Sequence, residues 1–283
     1  MKNEILVTCA TGFLGRRLVA VLEGRGFTVR EYASANGDTA NCALPMAGVG
    51  HLFHLAGKSY APAGWKDPRG FYQTNVMGTV NVLEHRRHEA ALAQGSRFVY
   101  GQPQRLPVAQ DHPWAAANSY AHTRLLAEDA ARFYERTFGL LLVIVRPFKV
   151  YGPGQQPPLL MPSIVQLDPS TDAVHLEHLR PKRDYLYIDD AVVFFLTLLE
   201  PGIRGVFNLG RGGSAGVAEV AQLVSDAAGI ATAAVNADGQ RPGEVRDGFR
   251  DSWRAASELG WRPRTSLAQG ITAVVAAEGA ARG

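Results

Sequence analysis

The segment from Val7 to Gly15 reads Val-Thr-Cys-Ala-Thr-Gly-Phe-Leu-Gly and has the layout of a strand, a turn and a helix. In turns that receive a dinucleotide pyrophosphate, one glycine makes the bend, a second lets the backbone approach the phosphates, and a third lets helix and strand pack closely. Gly12 and Gly15 occupy the second and third places, whereas Cys9 occupies the first. Because a helix N-terminus offers N–H groups and partial positive charge, the segment predicts a pyrophosphate site.

Cys9 must make the bend with a Cβ atom. If the bend requires a positive φ, a residue other than glycine costs about 1–2 kcal/mol there, which a protein can absorb in its stability. We therefore expect a strained turn that still binds, although an ordinary strand–helix turn remains the alternative on these residues alone. We interpret the thiol as a small buried group rather than a reactive one.

Short apolar runs rich in Val, Ile and Phe alternate with helical patterns in the first half of the chain. The predicted strands are 4–8, 27–32, 49–57, 90–94 and 141–148, and the predicted helices are 14–23, 71–88 and 118–138. The last of these strands begins with the apolar run 141–145, as expected for a strand buried on both faces. The alternation predicts an α/β fold with a Rossmann-type doubly wound parallel sheet, which binds ligands at the carboxyl ends of its strands.

The composition of the sequence changes after residue 150. The segment 151–162 is rich in Gly and Pro and predicts no regular element. We predict a dinucleotide-binding Rossmann domain at 1–150, to which 183–210 return. The remainder, 151–182 and 211–283, is expected to form a smaller C-terminal α/β substrate lobe.

Composition excludes several classes of function. The chain has 29 Lys+Arg and 26 Asp+Glu, and a net charge of +3 does not favour nucleic-acid binding. Two cysteines without a C-x-x-C spacing predict neither a disulfide framework nor a metal site, and favour a reducing compartment. The N-terminus lacks the apolar stretch of a signal peptide, and the apolar runs are too short to span a membrane. We expect a cytoplasmic protein.

Several short motifs occur in a fixed order along nearly the whole chain. They are T-C-A-T-G-F-L-G (8–15), G-D-T (37–39), H-L-A-G (54–57), Asn75 in T-N-V-M-G-T, S-R-F-V-Y-G (96–101), Y-A-H-T-R (120–124), R-P-F-K-V-Y-G-P-G-Q (146–155), R-D-Y-L-Y-I-D-D (183–190), N-L-G (208–210), R-P-G-E (241–244) and L-G-W-R-P (259–263). In this order and spacing the chain resembles the extended short-chain dehydrogenase/reductase family, the NAD-dependent epimerases and dehydratases that act on nucleotide sugars.

The resemblance implies a site for NAD or NADP and a site for a nucleotide sugar. Ser96 matches the family's catalytic Ser or Thr, Tyr120 matches its catalytic Tyr, and Arg124 stands where the family has Lys. The cofactor-binding positions that it implies are Thr8, Gly12, Phe13, Leu14, Gly15, Asp38, Thr39, Leu55, Ala56, Gly57, Asn75, Tyr120, Arg124 and Pro147. Its substrate-binding positions are Lys149, which replaces a usual Asn, and the arginines Arg183 and Arg241.

These residue types predict redox chemistry at a sugar hydroxyl. Tyr120 and Arg124 are four residues apart on one helix and share a face, and a tyrosine that acts as a base near neutral pH needs a nearby cation. Oxidation at C4, rotation of the keto sugar and return of the hydride give an epimerase, and half of this cycle gives a reductase or dehydrogenase. Dehydration is not expected, because Arg97 and Phe98 replace the Asp-Glu pair that the dehydratases carry after the catalytic Ser or Thr.

Three questions stay open at this level. Ala33 and Ser34 follow the second strand and provide neither the acid that favours NAD nor the Arg that favours NADP, so the cofactor is undecided, with a preference for NAD. The departures at Cys9, Arg124 and Lys149 leave a second hypothesis, a member that binds dinucleotide or sugar nucleotide without redox turnover. By resemblance, the helices 71–88 and 118–138 predict a homodimer.

Overall fold

We describe a computed structural model of the chain that covers residues 4–85, 90–157, 159–165, 180–229 and 245–280. The contacts divide the chain into two compact units. The first unit contains residues 1–101, 110–147 and 192–208, and the second contains 102–109, 148–191 and 209–283. None of the helices in the described ranges is both long enough and apolar enough to cross a membrane.

A six-stranded sheet forms the centre of the first unit. Its strands are β1 (Glu4–Thr8), β2 (Thr28–Tyr32), β3 (His51–His54), β4 (Ala90–Gln94), β5 (Leu141–Pro147) and β9 (Gly205–Leu209). Their order is β2-β1-β3-β4-β5-β9, and the pairs from β2-β1 to β4-β5 are parallel. The predicted doubly wound parallel sheet is confirmed. Since β2 and β3 lie on opposite sides of β1, the chain reverses its winding there and opens a crevice at the carboxyl end of β1.

Burial explains why these segments are strands. Ile5, Leu6 and Val7 are fully buried in β1, and β5 is buried from Leu142 through Val145, as expected for strands covered on both faces. Contact with α1 (Phe13–Gly24) covers part of this sheet, and that helix buries residues one turn apart.

The helix that carries Tyr120 has well-defined ends. α4 (Ser119–Phe138) begins where the side chain of Asn118 accepts a hydrogen bond from the Ala121 N–H at 2.8 Å. It ends at Gly139, whose φ of 69° and ψ of 24° are left-handed. The predicted helix 118–138 is therefore confirmed with both of its end signals.

The predicted helix 71–88 has a different internal structure. It is α-helical over α2 (Pro68–Phe71), π-helical over Tyr72–Met77 and α-helical again over α3 (Gly78–Glu84), and residues 86–88 lie outside the described ranges. The π-helical turn contains Asn75, which is buried. Such wide turns frequently lie at functional sites because they place a side chain that a regular helix would direct elsewhere.

The second unit combines short strands with helices. Its strands are β6 (Lys149–Tyr151), β7 (Lys182–Arg183), β8 (Tyr185–Tyr187) and β10 (Ala215–Gly216), and its helices are α5 (Leu160–Val165), α7 (Val217–Ala228), α8 (Trp253–Leu259) and α9 (Leu267–Ala280). β6 pairs with β8 in parallel, and β7 pairs with β10 antiparallel. Helix α6 (Ile188–Thr197) begins in this unit and ends in the first.

Four segments differ from the predicted division into domains. Residues 102–109, 148–150, 183–191 and 209–210 cluster with the second unit rather than the first. The two longer segments are held there by their bonds: Val108 pairs with Arg250, and the Asp184 carboxylate accepts the backbone N–H groups of Arg211 and Gly212. The assignment of the two units to cofactor and substrate stays a prediction.

Candidate functional site

The turn after β1 has the strained geometry that its sequence predicts. Cys9 has a φ of 56° and is the only residue other than glycine with a positive φ in the part of the chain that the structure describes. The Gly12 N–H donates to the Cys9 carbonyl at 2.9 Å, which closes the bend. Gly12 is the N-cap of α1 and brings no side chain to the first N–H groups of that helix. These groups are therefore available to an anionic ligand.

The other two glycines are tightly enclosed. An ideal Cβ atom on Gly15 would collide with the Cys9 carbonyl oxygen and would lie 2.9 Å from the Ala10 carbonyl oxygen. A Cβ atom on Gly12 would lie 2.5 Å from the Cys9 Sγ, so the thiol packs over the start of the helix. The turn therefore keeps the close approach of helix to strand that the third glycine provides in dinucleotide sites.

A cavity of about 470 Å³ lies along the carboxyl ends of β1, β2 and β3. The described residues that line it are Cys9, Thr11, Gly12, Tyr32, Ala33, Ser34, Gly37, Asp38, Thr39, Ala56, Gly57, Lys58 and Thr74. The place is the one at which a doubly wound sheet binds its ligand, and the volume is in the range of small-molecule sites. The cavity brings together five of the predicted cofactor positions, Gly12, Asp38, Thr39, Ala56 and Gly57.

The wall of this cavity beyond β2 is nearly uncharged. Of the described lining residues, only Asp38 and Lys58 carry a charge. The Asp38 carboxylate accepts the Ala40 N–H at 3.0 Å, and the Lys58 ammonium pairs with Asp67 at 2.6 Å. The end of β2 itself presents Ala33 and Ser34, so no carboxylate or guanidinium stands among the described lining residues at that point.

Tyr120 and Ser96 are brought together as a hydrogen-bonded pair. The Tyr120 hydroxyl donates to the Ser96 Oγ at 3.0 Å, and the Phe98 N–H donates to the same oxygen at 3.2 Å. Ser96 lies directly after β4, and Tyr120 lies in the first turn of α4. Phe98 and Phe71 pack edge-on against the Tyr120 ring, with centroid distances of 5.3 and 6.2 Å.

Arg124 lies one turn further along α4 and is buried with this pair. The exposed fractions of Tyr120, Ser96 and Arg124 are 7%, 3% and 2%. The guanidinium carbon lies 5.8 Å from the centroid of the Tyr120 ring. None of these three is among the described residues that line the cavity, although the guanidinium touches the cavity wall at Gly57.

A buried histidine links the ends of β1 and β3, a role that the sequence analysis missed. Thr8 Oγ1 lies 3.0 Å from His54 Nδ1 and accepts the Ala56 N–H, while His54 Nε2 lies 3.2 Å from Thr79 Oγ1, which donates to the Asn75 carbonyl. Thr79 spends its only proton on the Asn75 carbonyl, so it accepts from His54 and the imidazole carries a proton on Nε2. Because burial keeps His54 neutral, Nδ1 has no proton and accepts the Thr8 hydroxyl.

Asn75 continues this network toward α4. Its Oδ1 accepts the Lys58 N–H at 2.8 Å, and its Nδ2 donates to the Lys58 carbonyl and to Thr123 Oγ1 at 3.0 Å. Thr123 in turn donates to the Tyr120 carbonyl at 2.9 Å. The amide of Asn75 thus fixes the loop after β3 against α4, and a direct contact of Asn75 with cofactor stays a prediction.

The remaining predicted cofactor positions lie at the ends of elements. Thr8 and Leu55 are buried beside the ends of β1 and β3. Phe13 and Leu14 are the first two residues of α1, and Pro147 is the last residue of β5. Contacts of these residues with a cofactor stay predictions.

The predicted substrate residues lie in the second unit. The Lys149 N–H donates to the Asp184 carbonyl at 2.9 Å, which places Lys149 in the β6–β8 pair. The Arg183 guanidinium donates to the Val245 carbonyl at 2.5 Å and so ties β7 to the segment beginning at 245. Arg241 lies outside the described residues. That these residues bind a diphosphate stays a prediction.

Burial favours the neutral forms of His54 and Cys9, two titratable groups at the turn after β1. Burial, and secondarily the charge of Arg124, lowers the pKa of His54 to about 3. Burial raises the pKa of the Cys9 thiol, while the Gly12 N–H and the charge of Arg124 oppose this rise. A thiol held neutral is a poor nucleophile, which supports the interpretation of Cys9 as a packing residue. The described residues contain no group of three His, Cys, Asp or Glu side chains placed to hold a metal ion.

Replacing Cys9 with glycine is expected to stabilise the fold. Relief of the positive φ is worth about 1–2 kcal/mol, and the greater freedom of glycine in the unfolded chain removes about 0.5–1 kcal/mol of that. Urea unfolding of Cys9→Gly should therefore show a gain of about 0.5–1 kcal/mol. Ala10→Gly, at the next position and without a positive φ, is the matched control and should lose stability; a similar loss in both variants would show that the bend is unstrained.

Stability should fall in acid because of His54. The folded protein holds this imidazole neutral down to a pH of about 3, whereas the unfolded chain binds the proton near its ordinary pKa of about 6.5. The contribution is complete above pH 6.5 and is lost as the pH falls toward 3, with a slope of at most about 1.4 kcal/mol per pH unit. Unfolding measured between pH 6.5 and 4 should show a smaller slope for His54→Gln than for wild type. The exposed His85 supplies the control His85→Gln, and equal slopes in all three proteins would contradict the assignment.

Comparison with known proteins agrees with this geometry. Residues 5–210 match the NAD dependent epimerase/dehydratase family. GDP-6-deoxy-D-mannose reductase of Pseudomonas aeruginosa is 28% identical over 298 residues, which cover 97% of each chain. Two solved structures superpose closely on this chain. RMD of Pseudomonas aeruginosa complexed with NADPH is 25% identical and gives a TM-score of 0.90, with 98% of this chain and 99% of that chain covered. MoeE5 in complex with UDP-glucose and NAD is 26% identical and gives a TM-score of 0.90, with 99% of this chain and 100% of that chain covered. The chain belongs to the NAD-dependent epimerase/dehydratase family.

Proposed function

We propose that this protein oxidises and reduces C4 of the sugar in a nucleotide sugar with NAD or NADP, as a 4-epimerase or a 4-keto reductase. The observation that carries the proposal is the buried hydrogen bond between the Tyr120 hydroxyl and Ser96 Oγ at 3.0 Å. The same unit holds a cavity of about 470 Å³ at the strand ends where such sheets bind dinucleotides. Similarity to a GDP-6-deoxy-D-mannose reductase supports the substrate class.

The described residues fit a dinucleotide. The N–H groups at the start of α1 are turned to an anion by the bend at Cys9, and Gly12 leaves room for phosphate oxygens to approach them. Asp38 and Thr39 line the far end of the cavity, where the adenine would lie. When bound, the nicotinamide ring takes up a hydride and returns it.

The chain's own residues move the proton. Tyr120 as phenolate accepts the proton of the C4 hydroxyl while the hydride leaves the same carbon, and the Ser96 hydroxyl donates a hydrogen bond to that oxygen. The guanidinium carbon of Arg124 lies 5.8 Å from the centroid of the Tyr120 ring, so its positive charge lies beside the reacting phenol. In the reverse direction the phenol returns its proton to the oxygen of the 4-keto sugar. Return of the hydride to the opposite face gives the epimer.

The residues after Ser96 argue against dehydration. Arg97 is buried, and its guanidinium carbon lies 4.5 Å from the centroid of the Phe98 ring, which itself packs against Tyr120. An aromatic ring and a guanidinium cannot replace the carboxylic acid and carboxylate that elimination of water requires. We therefore assign the chain to redox chemistry at C4 rather than to the dehydratase branch.

We infer that both NAD and NADP bind, with a preference for NAD. The cavity wall at Ala33 and Ser34 has no carboxylate among its described residues that would repel a 2′-phosphate. The described residues at this point also include no guanidinium. Without one, the cost of removing the 2′-phosphate from water is not offset, which disfavours NADP. RMD with NADPH and MoeE5 with NAD show that similar structures accommodate either dinucleotide.

Ala33→Asp should make the protein selective for NAD over NADP. A carboxylate at this position bonds the 2′-hydroxyl of NAD and repels the 2′-phosphate of NADP, so the ratio of the two dissociation constants should change at least about tenfold, or about 1.4 kcal/mol, in favour of NAD. Calorimetric titration with NAD+ and NADP+ measures the ratio. Ala33→Asn has nearly the same shape without the charge and should leave it nearly unchanged. An unchanged ratio in Ala33→Asp would show that the ribose lies elsewhere.

Tyr120→Phe should abolish turnover while sparing the dinucleotide. Loss of a general acid–base is expected to reduce kcat by a factor of about 10²–10⁴, and the dissociation constant for NAD+ should change by less than about threefold. The assay is a panel of UDP-, GDP- and dTDP-sugars with either cofactor. Tyr134→Phe removes a phenol from the same helix away from the site and should keep full activity. Equal turnover by Tyr120→Phe and wild type would exclude the proposed chemistry.

The burial of the pair favours a second candidate, a protein that binds dinucleotide or sugar nucleotide without redox turnover. Tyr120 and Ser96 are nearly inaccessible, and Arg124 occupies the place of the family's Lys. The assay that separates the candidates uses Arg124→Lys. Turnover that appears only in Arg124→Lys would establish the binding role for the natural protein, whereas turnover in wild type establishes the enzyme.

The remaining proposals concern the substrate and the assembly. We propose that Lys149, Arg183 and Arg241 bind the nucleotide diphosphate, on the strength of their cationic side chains and their match to the family's motifs. We also propose a homodimer formed through α4 and the helix that contains the π-helical turn. Tyr72 and Met77 on that helix and Phe133 on α4 are exposed apolar residues, which a second copy of the chain would cover.

A further inference from the structure

We propose that Gly57 is a positioning residue that acts together with Arg124 in binding the ribose-diphosphate part of a dinucleotide. Because Gly57 has no side chain, the guanidinium of Arg124 lies directly against its backbone, a contact that is called the seat below. The identity of the ligand rests on the proposed function, whereas the seat rests on geometry alone.

The contact between the two residues leaves no room for a side chain at position 57. An ideal Cβ atom there would lie 2.9 Å from both Cζ and Nη1 of Arg124 and closer still to Nη2. Real Cβ atoms essentially never approach other heavy atoms within 3.0 Å. Gly57 also has a φ of 153°, which an L-residue rarely adopts. A methyl group at this position must therefore push the guanidinium aside.

The seat places the guanidinium of Arg124 between the Tyr120 ring and the cavity. On one side the guanidinium carbon lies 5.8 Å from the Tyr120 ring, and on the other the guanidinium touches Gly57, which lines the cavity. Its charge reaches the turn after β1, where it opposes the rise of the Cys9 pKa caused by burial. A displaced fork would lose contact with the cavity wall first, so the loss is expected in dinucleotide binding rather than in folding.

The size of the arginine head explains why position 57 needs glycine. A guanidinium is a planar fork with five N–H groups, whereas a lysine ends in a compact ammonium on a flexible stem. An ammonium at position 124 would leave space beside the backbone of residue 57. Gly57 therefore leaves room for arginine at the position where the family has lysine.

A double-mutant cycle tests the coupling. Wild type, Gly57→Ala, Arg124→Lys and the combined variant are titrated with NAD+, NADP+ and ADP-ribose. The loss of affinity caused by Gly57→Ala should be at least about tenfold larger in the wild-type background than in the Arg124→Lys background, because the strain of its φ of 153° is common to both. Equal losses in the two backgrounds would overturn the proposal. Gly26→Ala is the matched control, because Gly26 has a φ of 84° and no atom within 4 Å of its ideal Cβ, and its effect should be the same in both backgrounds.

A second measurement needs no ligand and separates this inference from the proposed function. The Nε–H resonance of Arg124 in arginine-labelled protein, assigned through its loss in Arg124→Lys, should move in Gly57→Ala and stay in place in Gly26→Ala. If it moves while no dinucleotide binds to wild type, the seat stands and the proposed function fails. If dinucleotide binds but the resonance stays in place in Gly57→Ala, the proposed function stands and the seat is wrong.

Discussion

The site depends on one buried contact, the hydrogen bond between Thr8 and a neutral His54. Thr8 ends β1 and His54 ends β3, and these two strands flank the point where the sheet reverses its winding. The other ring nitrogen reaches Thr79, so the same imidazole also fixes the helix that contains the π-helical turn. Burial keeps this imidazole neutral, so it accepts from the Thr8 hydroxyl through Nδ1 and donates to Thr79 through Nε2.

The hydrogen-bond network that begins at this contact continues to the loop after β3 and to α4. Asn75 follows Thr79 in the network and holds the loop after β3 against α4, which carries Tyr120 and Arg124. The loop presents Gly57 to the Arg124 guanidinium. Hydrogen bonds around the cavity thus help to place α4, which carries both the phenol and the guanidinium.

The sequence was sufficient for the sheet, for the turn at Cys9 and for both ends of α4, because hydrophobic period, glycine spacing and capping residues are local signals. It was insufficient for the π-helical turn, which has no residue signature and contains the buried Asn75. The role of His54 was also missed. It becomes visible only when residues far apart in the chain come into contact, and a histidine in an apolar strand otherwise signals packing.

Two of the three departures from the family pattern, Cys9 and Arg124, are accommodated locally in the structure. Cys9 keeps the bend in a left-handed conformation, and its thiol packs over Gly12 without filling the cavity, which retains about 470 Å³. Arg124 is larger than lysine, and Gly57 provides the space for its fork. Neither substitution blocks the cavity, because the thiol lies over the first turn of α1 and the guanidinium lies against the backbone of Gly57. Both are therefore compatible with the dinucleotide site that we propose.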